Sequence, residues 1–181
     1  MISNLKYNIN SKDFDNTSNN NGLNYIICST PRSGSTLLAE GLKSTGIAGM
    51  PHEYFNVDHK SDYFKRWNFN SNQEYVDLLK KNRVNDNGVF GLKMHFNQFK
   101  AQFNGSDLND VFRGLKFVFI TRSDKVAQAI SLEIAVQTNK WSSEFNRDNK
   151  AEFNYNNIKK KINDIKKQES DWLNYFKKFN I

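Results

Sequence analysis

Three short apolar runs rich in β-forming residues constrain the fold of this chain most strongly. They cover residues 23–30, 88–96 and 115–122, and their composition and length are typical of buried strands. The amphipathic patterns around them predict helices over 35–46, 72–83, 124–138 and 157–179. Continuous apolar strands that alternate with amphipathic helices favour the α/β class, with a central parallel sheet covered by helices on both faces. We expect a single domain over residues 23–181.

Polar residues follow each of the three predicted strands. The sequences are STPRSGST (29–36) after the first strand, KMHFNQ (93–98) at the end of the second and TRSDK (121–125) after the third. Ligands of open parallel sheets bind at the carboxyl ends of the strands. The sequence therefore predicts one site formed by these three segments.

The segment after the first strand has the features of an anion-binding loop. It leads into a helix, whose free N–H groups and dipole favour a negative charge. Gly34 allows close approach of the backbone, and Arg32 offers a planar fork that fits a phosphate or sulfate group. Hydroxyl donors come from Ser33, Ser35 and Thr36. The alternative is that a hydroxyl only caps the helix and Arg32 lies on the surface.

The loop differs from the common nucleoside-triphosphate loop. Ser35 follows Gly34 where that loop has a lysine, and no glycine lies five residues earlier. The third strand ends in Thr121 and Arg122, where a kinase would need an acidic magnesium ligand. These differences disfavour a small P-loop kinase and favour an anionic cofactor bound without a metal.

Composition narrows the remaining classes of function. The net charge of +7 is spread along the chain, so we expect neither a nucleic-acid partner nor a membrane partner. The single cysteine, Cys28, lies in an apolar run, which predicts a small buried residue rather than a nucleophile. Residues 1–22 are rich in Asn, Ser and Asp and have no apolar signal core, which predicts a flexible tail and a cytoplasmic location.

Three blocks of the sequence resemble one enzyme family. Residues 30–55, 91–98 and 120–141 resemble the bacterial carbohydrate sulfotransferases of the trehalose 2-sulfotransferase type, in the same order and at similar spacing. The resemblance implies a P-loop-like sulfotransferase fold and 3′-phosphoadenosine-5′-phosphosulfate (PAPS) as the donor, which is released as 3′-phosphoadenosine-5′-phosphate (PAP). It also implies a carbohydrate or glycolipid hydroxyl as acceptor, catalysis without a metal, and a homodimer.

The resemblance assigns two groups of residues to the donor. The 5′-phosphosulfate is held by the loop residues Arg32, Ser33, Gly34, Ser35 and Thr36. Arg122 and Ser131 match the pair that holds the 3′-phosphate. An ordinary serine on the helix surface is the alternative interpretation of Ser131.

Glu53 matches the general base of the family. A sugar hydroxyl is a poor nucleophile at neutral pH, so a carboxylate that takes its proton has a clear chemical use. Glu53 could also be an ordinary surface acid, and the adjacent His52 is a rival base because it titrates near neutral pH.

Lys93 and His95 lie on one face of the second predicted strand. Lys93 could neutralise charge on the sulfuryl group or the leaving phosphate, and His95 could line the acceptor site. The alternatives are a solvent-facing lysine and a structural histidine.

The resemblance leaves two open points. Family members usually continue beyond the position of Phe176, whereas this chain stops at Ile181, so we expect a C-terminally shortened form of the fold. A catalytically incomplete nucleotide-binding or interaction module is therefore an alternative function. Residues 54–87 are the expected acceptor lid because they are rich in aromatics, although core packing would explain those aromatics equally well.

Overall fold

The computed structural model describes residues 22–141 and 150–181, together with Lys12, Asp15 and Asn16. Most of the tail predicted over residues 1–22 lies outside the described residues. Among the described residues of that segment, Asp15 and Asn16 contact the domain. The Asp15 carboxylate pairs with Arg66 at 3.0 Å and with the fully buried Arg83 at 3.2 Å, and the Asn16 backbone N–H donates to Asn82 O at 2.8 Å.

A three-stranded parallel sheet forms the centre of the domain. It consists of β1 (Asn24–Ser29), β2 (Phe90–His95) and β3 (Lys116–Phe119) in the order β2-β1-β3. Ile27 of β1 lies opposite Lys93 of β2 on one side and opposite Val118 of β3 on the other. The three strands and their parallel arrangement confirm the α/β prediction.

Seven helices surround the sheet in the described residues. They are α1 (Ser35–Ser44), α2 (Val57–Trp67), α3 (Asn72–Asn82), α4 (Phe96–Phe103), α5 (Leu108–Phe112), α6 (Lys125–Thr138) and α7 (Tyr155–Phe179). The four predicted helices are confirmed as α1, α3, α6 and α7, and the Asp124 side chain caps α6. The other three were not predicted. α4 follows β2 without a break, so its apolar residues extend the strand pattern and hide the change of period.

The two faces of the sheet pack against different layers. Ile26 and Cys28 point into a large aromatic core that includes Trp172 of α7 and Tyr75 of α3. On the opposite face, Ile27 packs with α1. Cys28 is fully buried, and burial raises the pKa of its thiol well above the ordinary value, which confirms the structural interpretation of this cysteine.

The aromatics of the expected acceptor lid mostly belong to this core. Tyr54, Phe55 and Tyr63 are at most 1% exposed, and Phe69 is buried with them. A role for these four rings in stacking on a sugar is therefore wrong, since packing with α3 and α4 already covers them. Phe64 is half exposed.

No helix among the described residues is long and apolar enough to cross a membrane. The cytoplasmic location remains a prediction.

Candidate functional site

The loop between β1 and α1 has a conformation that leaves the helix terminus open to a ligand. Gly34 occupies the N-cap position with a φ of 94°, and no side chain caps α1. By contrast, side chains cap the starts of α2, α3, α5, α6 and α7. The first N–H groups of α1 therefore have no competing side-chain acceptor.

Arg32 and Ser33 of the loop have unusual local features. Arg32 has a φ of 62°, a left-handed conformation that costs a non-glycine residue about 1–2 kcal/mol. The Ser33 hydroxyl is buried and has no hydrogen-bond partner among the described residues. Buried polar groups normally have partners, so the unpaired hydroxyl fits a loop shaped for a bound anion.

Gln128 of α6 holds the loop between β1 and α1 in place by hydrogen bonds. Its amide Nε2 donates to Thr30 Oγ1 at 2.9 Å and to the Pro31 carbonyl at 2.7 Å. Gln128 is fully buried, so these bonds join the loop firmly to α6. Sequence reasoning missed this residue, because its partners lie almost a hundred positions earlier in the chain.

A second segment brings Glu53 to the carboxyl end of β2. The Lys93 backbone N–H donates to His52 O at 2.9 Å, which attaches the residues before Glu53 to the free edge of the strand. The next residues, Tyr54 and Phe55, are buried in the core, and Asn56 N donates to Glu53 O at 2.9 Å. Glu53 therefore lies on a firmly packed segment and is not an ordinary surface acid.

Three side chains donate to the Glu53 carboxylate. Lys93 Nζ lies 2.8 Å and His95 Nε2 lies 3.5 Å from Oε1, and Gln98 Nε2 lies 2.9 Å from Oε2. Burial raises the pKa of this carboxyl, but hydrogen bonds and charges from His95 and Lys93 outweigh burial and hold the pKa well below its usual range. Glu53 is therefore ionised at neutral pH and can accept a proton.

Lys93 connects Glu53 to the anion-binding loop. Its ammonium donates to Thr36 Oγ1 at 2.8 Å and also pairs with Glu53 at 2.8 Å. The residue is 4% exposed, so the interpretation as a solvent-facing lysine is wrong. The buried Lys93 ammonium thus joins α1, the helix that follows the loop, to Glu53, the candidate base.

His95 lies on the same strand face as Lys93, as predicted, and contacts the same oxygen of Glu53. Its Nδ1 is 3.0 Å from the hydroxyl of Ser29 at the end of β1. The ring is therefore both fixed by the fold and in contact with the candidate base.

His52, the rival base, is held in a different environment. Its ring contacts that of His59, with 4.4 Å between centroids. Burial, then the charge of His59, lowers its pKa well below the ordinary value, and its buried Nε2 has no partner within the part of the chain that the structure describes. The His52 ring thus lies outside the network in which Lys93 joins Glu53 to Thr36 of the loop, so the geometry favours Glu53 as the base.

The structure brings Ser131 to Arg32 rather than leaving it on the helix surface. Arg32 Nε donates to Ser131 Oγ at 2.9 Å, and Arg32 Nη1 donates to Trp141 O at 2.6 Å. Arg122 is half-buried, and its backbone carbonyl accepts from Lys125. The Arg122 side chain makes no hydrogen bond or ion pair with any described residue.

Gln98 is a further residue of the site that sequence reasoning missed. It is the third residue of α4, and its Oε1 accepts from the backbone N–H of His95 at 2.9 Å. A glutamine three positions after a helix N-cap is a known capping signal. The signal was present, but it predicts only a helix start and not a contact with Glu53.

Comparisons with known proteins show the family of this chain. A family model described as Stf0 sulphotransferase matches residues 24–181. The trehalose 2-sulfotransferase of Mycolicibacterium smegmatis (strain ATCC 700084 / mc(2)155) is 27% identical over 197 aligned residues, which cover 87% of this chain and 74% of the relative. The trehalose 2-sulfotransferase of Mycobacterium tuberculosis (strain ATCC 35801 / TMC 107 / Erdman) is 29% identical over 192 aligned residues, which cover 84% of this chain and 72% of the relative. The chain belongs to the Stf0 sulphotransferase family.

Proposed function

We propose that this protein transfers a sulfuryl group from PAPS to a hydroxyl of a carbohydrate or glycolipid, with Glu53 as the general base. Membership of a sulfotransferase family supports the reaction type. The observation that carries the proposal is the Lys93 bridge, because one ammonium lies 2.8 Å from both Thr36 Oγ1 and Glu53 Oε1. Transfer from an anionic donor to a hydroxyl requires an anion-binding loop and a base. Here the loop and the carboxylate share one buried cation.

The residues of the loop fit the donor's 5′-phosphosulfate. The open N-terminus of α1, the unpaired Ser33 hydroxyl and the Arg32 guanidinium all favour an anion. Ser35 lies in the first turn of α1, and Gly34 leaves the space above the backbone open. We assign the 3′-phosphate to Arg122 and Ser131, with Arg32 close to Ser131.

The chemistry divides between the donor and the chain. PAPS would supply an activated sulfuryl group. The Glu53 carboxylate takes the proton from the acceptor hydroxyl, and such general-base assistance typically contributes about 10²–10⁴-fold in rate. Lys93 supplies positive charge between the base and the loop, where negative charge develops on the leaving phosphate. His95 holds the carboxylate from the Ser29 side.

The acceptor is proposed only as a chemical class. Trehalose appears in the names of both relatives, and a sugar hydroxyl needs the base that Glu53 provides. Catalysis without a metal and assembly as a homodimer remain parts of the proposal.

Calorimetric titration of the chain with PAP, and with AMP as the control, tests the donor assignment. We expect PAP to bind at least tenfold more tightly than AMP, because only PAP carries a 3′-phosphate. Incubation with PAPS and a panel of sugars should then give sulfated product, and Glu53→Gln should keep its affinity for PAP while losing most turnover. A folded sample that does not prefer PAP would contradict the donor assignment. Binding of PAP without turnover on any sugar would favour a nucleotide-binding module.

A further inference from the structure

The side-chain amide of Gln98 has a fixed orientation, because it lies between a hydrogen-bond donor and a hydrogen-bond acceptor. Its Oε1 accepts from the His95 backbone N–H at 2.9 Å, and its Nε2 donates to Glu53 Oε2 at 2.9 Å. Reversing the amide would place an oxygen against the carboxylate and an NH₂ group against an N–H donor. Both contacts would become repulsive, so the network determines which end faces Glu53.

The donors around Glu53 are distributed unevenly between its two oxygens. A carboxylate has about four lone-pair sites, two on each oxygen. Oε1 faces Lys93 at 2.8 Å and His95 at 3.5 Å. Within the described part of the chain Oε2 receives the single donor Gln98. The remaining site for a hydroxyl therefore lies on Oε2.

We infer that Gln98 is a positioning residue, which holds Oε2 of Glu53 as the oxygen that removes the proton from the acceptor hydroxyl. This inference rests on the proposed function, since it concerns the same base. In the reaction, the acceptor O–H bond breaks, its proton moves to Oε2, and its electron pair forms the new O–S bond. At the same time the S–O bond to the 5′-phosphate of the donor breaks, and its electron pair leaves with PAP. Gln98 keeps its hydrogen bond to Oε2 throughout and does not take the proton.

Other charged and titratable groups around Glu53 come from three segments. Lys93 and His95 of β2 reach its carboxylate, and His52 precedes it in the chain. His59 of α2 also interacts with it electrostatically. None of these four residues is altered in the Gln98 variants, so a change in the titration of Glu53 would report the loss of the amide donor.

A purely structural role is the competing explanation, because Gln98 also caps α4. Gln98→Glu separates the two roles. The new carboxylate can still accept from the His95 N–H, as glutamate does in capping boxes, but it would face Oε2 with a like charge. Gln98→Met removes both hydrogen bonds with little change in length. Glu74→Ala is the matched control, because Glu74 is the third residue of α3 and its carboxylate accepts from Asn70 N at 2.7 Å, away from Glu53.

The experiment follows the Glu53 carboxyl carbon by NMR titration in the full chain, with the signal assigned by its loss in Glu53→Gln. We expect Gln98→Met to raise the titration midpoint by about one pH unit, because a hydrogen bond to the charged form is lost. We expect a larger rise in Gln98→Glu, since neighbouring carboxylates resist double ionisation. Glu74→Ala should titrate like the wild type. Unchanged midpoints in both Gln98 variants would overturn the inference.

Kinetics supply the second measurement. At pH 7 both Gln98 variants should lose about 10- to 100-fold in kcat, the range expected for a hydrogen bond to a charged group, while the KM for PAPS changes less than twofold. Wild-type kcat in Gln98→Glu would show a capping role and overturn the inference. A wild-type chain that transfers no sulfuryl group would overturn the proposed function instead, and the titration would still decide whether Gln98 controls the ionisation of Glu53.

Discussion

The guanidinium Nε of Arg32 lies 2.9 Å from the hydroxyl of Ser131, so the anion-binding loop and the middle of α6 meet directly. The family resemblance assigns these residues to opposite ends of the donor. Their contact brings the two groups of residues that the resemblance assigns to the donor next to each other along α6. Gln128, also on α6, fixes the same loop through Thr30 and Pro31, so α6 supports both parts of the site.

Arg122→Ala should weaken PAP selectively. We expect a loss of about 1.5–3 kcal/mol in PAP binding, the range for a hydrogen bond to a charged group, and little change for AMP, which lacks the 3′-phosphate. Calorimetry with both ligands measures the difference. Lys116→Ala removes an exposed cation of β3 and should affect neither ligand, and equal losses for PAP and AMP in Arg122→Ala would make Arg122 structural.

Substitutions of the buried pair Glu53 and Lys93 should have strongly non-additive effects on the free energy of unfolding. Glu53→Gln leaves the Lys93 ammonium with Thr36 as its partner, and Lys93 is only 4% exposed. We expect a loss of about 3 kcal/mol, the low end for breaking a buried ion pair. Lys93→Met should cost less, because His95 and Gln98 still donate to Glu53.

Urea denaturation of the two single variants and of the double variant measures that coupling. The double variant should be more stable than the sum of the single losses predicts, since no charge is left unpaired. The pair of Lys167 and Asp171 is the control, because Lys167 is 73% exposed. Its coupling should stay below about 1 kcal/mol, and a similarly small value for Glu53 and Lys93 would contradict the prediction.

Glu133 should make the domain sensitive to acid. Hydrogen bonds from Lys161, Asn157 and Gln137 lower the pKa of Glu133 to about 2, from an ordinary value of 4.5. A carboxyl with a depressed pKa stabilises the folded state above pH 4.5, and this contribution is lost as the pH falls towards 2.

Denaturation midpoints of wild type and Glu133→Gln between pH 7 and pH 2.5 test this effect. The wild type should be more stable at pH 7, and the difference between the two proteins should shrink as the pH falls below 4.5. A difference that does not depend on pH would mean that the ionisation of Glu133 is not coupled to folding.

Two glycine substitutions should have opposite effects on stability. A Cβ at Gly91 would lie 2.5 Å from Cζ of Tyr25, whose hydroxyl donates to Ala48 O at 2.6 Å. Gly91→Ala should therefore cost about 1–3 kcal/mol through overpacking. Gly41 lies in α1 with open space around its Cα, so Gly41→Ala should stabilise by about 0.5–1 kcal/mol. Thermal melting of both variants measures the effects, and a neutral Gly91→Ala would mean that the Tyr25 ring moves aside easily.

The sequence by itself determined the sheet, the long helices and the position of the polar loop between β1 and α1. These features depend on local patterns, namely apolar runs, amphipathic periods and a Gly/Ser loop before a helix. The pattern was insufficient for α4, because Phe96 continues the apolar run of β2 and hides the helix start that Gln98 marks as a capping residue. It also could not decide whether Tyr54 and Phe55 would face a sugar or the core.

Only the tertiary structure decided how the site residues meet. Lys93 could be read from sequence as a surface lysine, and its burial between Thr36 and Glu53 depends on the parallel pairing of β1 and β2. Gln98 had a local signal as a capping residue, but its contact with Glu53 requires residues 45 positions apart to lie together. Local chain physics specifies the elements, whereas contacts between distant residues arise only when packing of the core fixes the elements relative to one another.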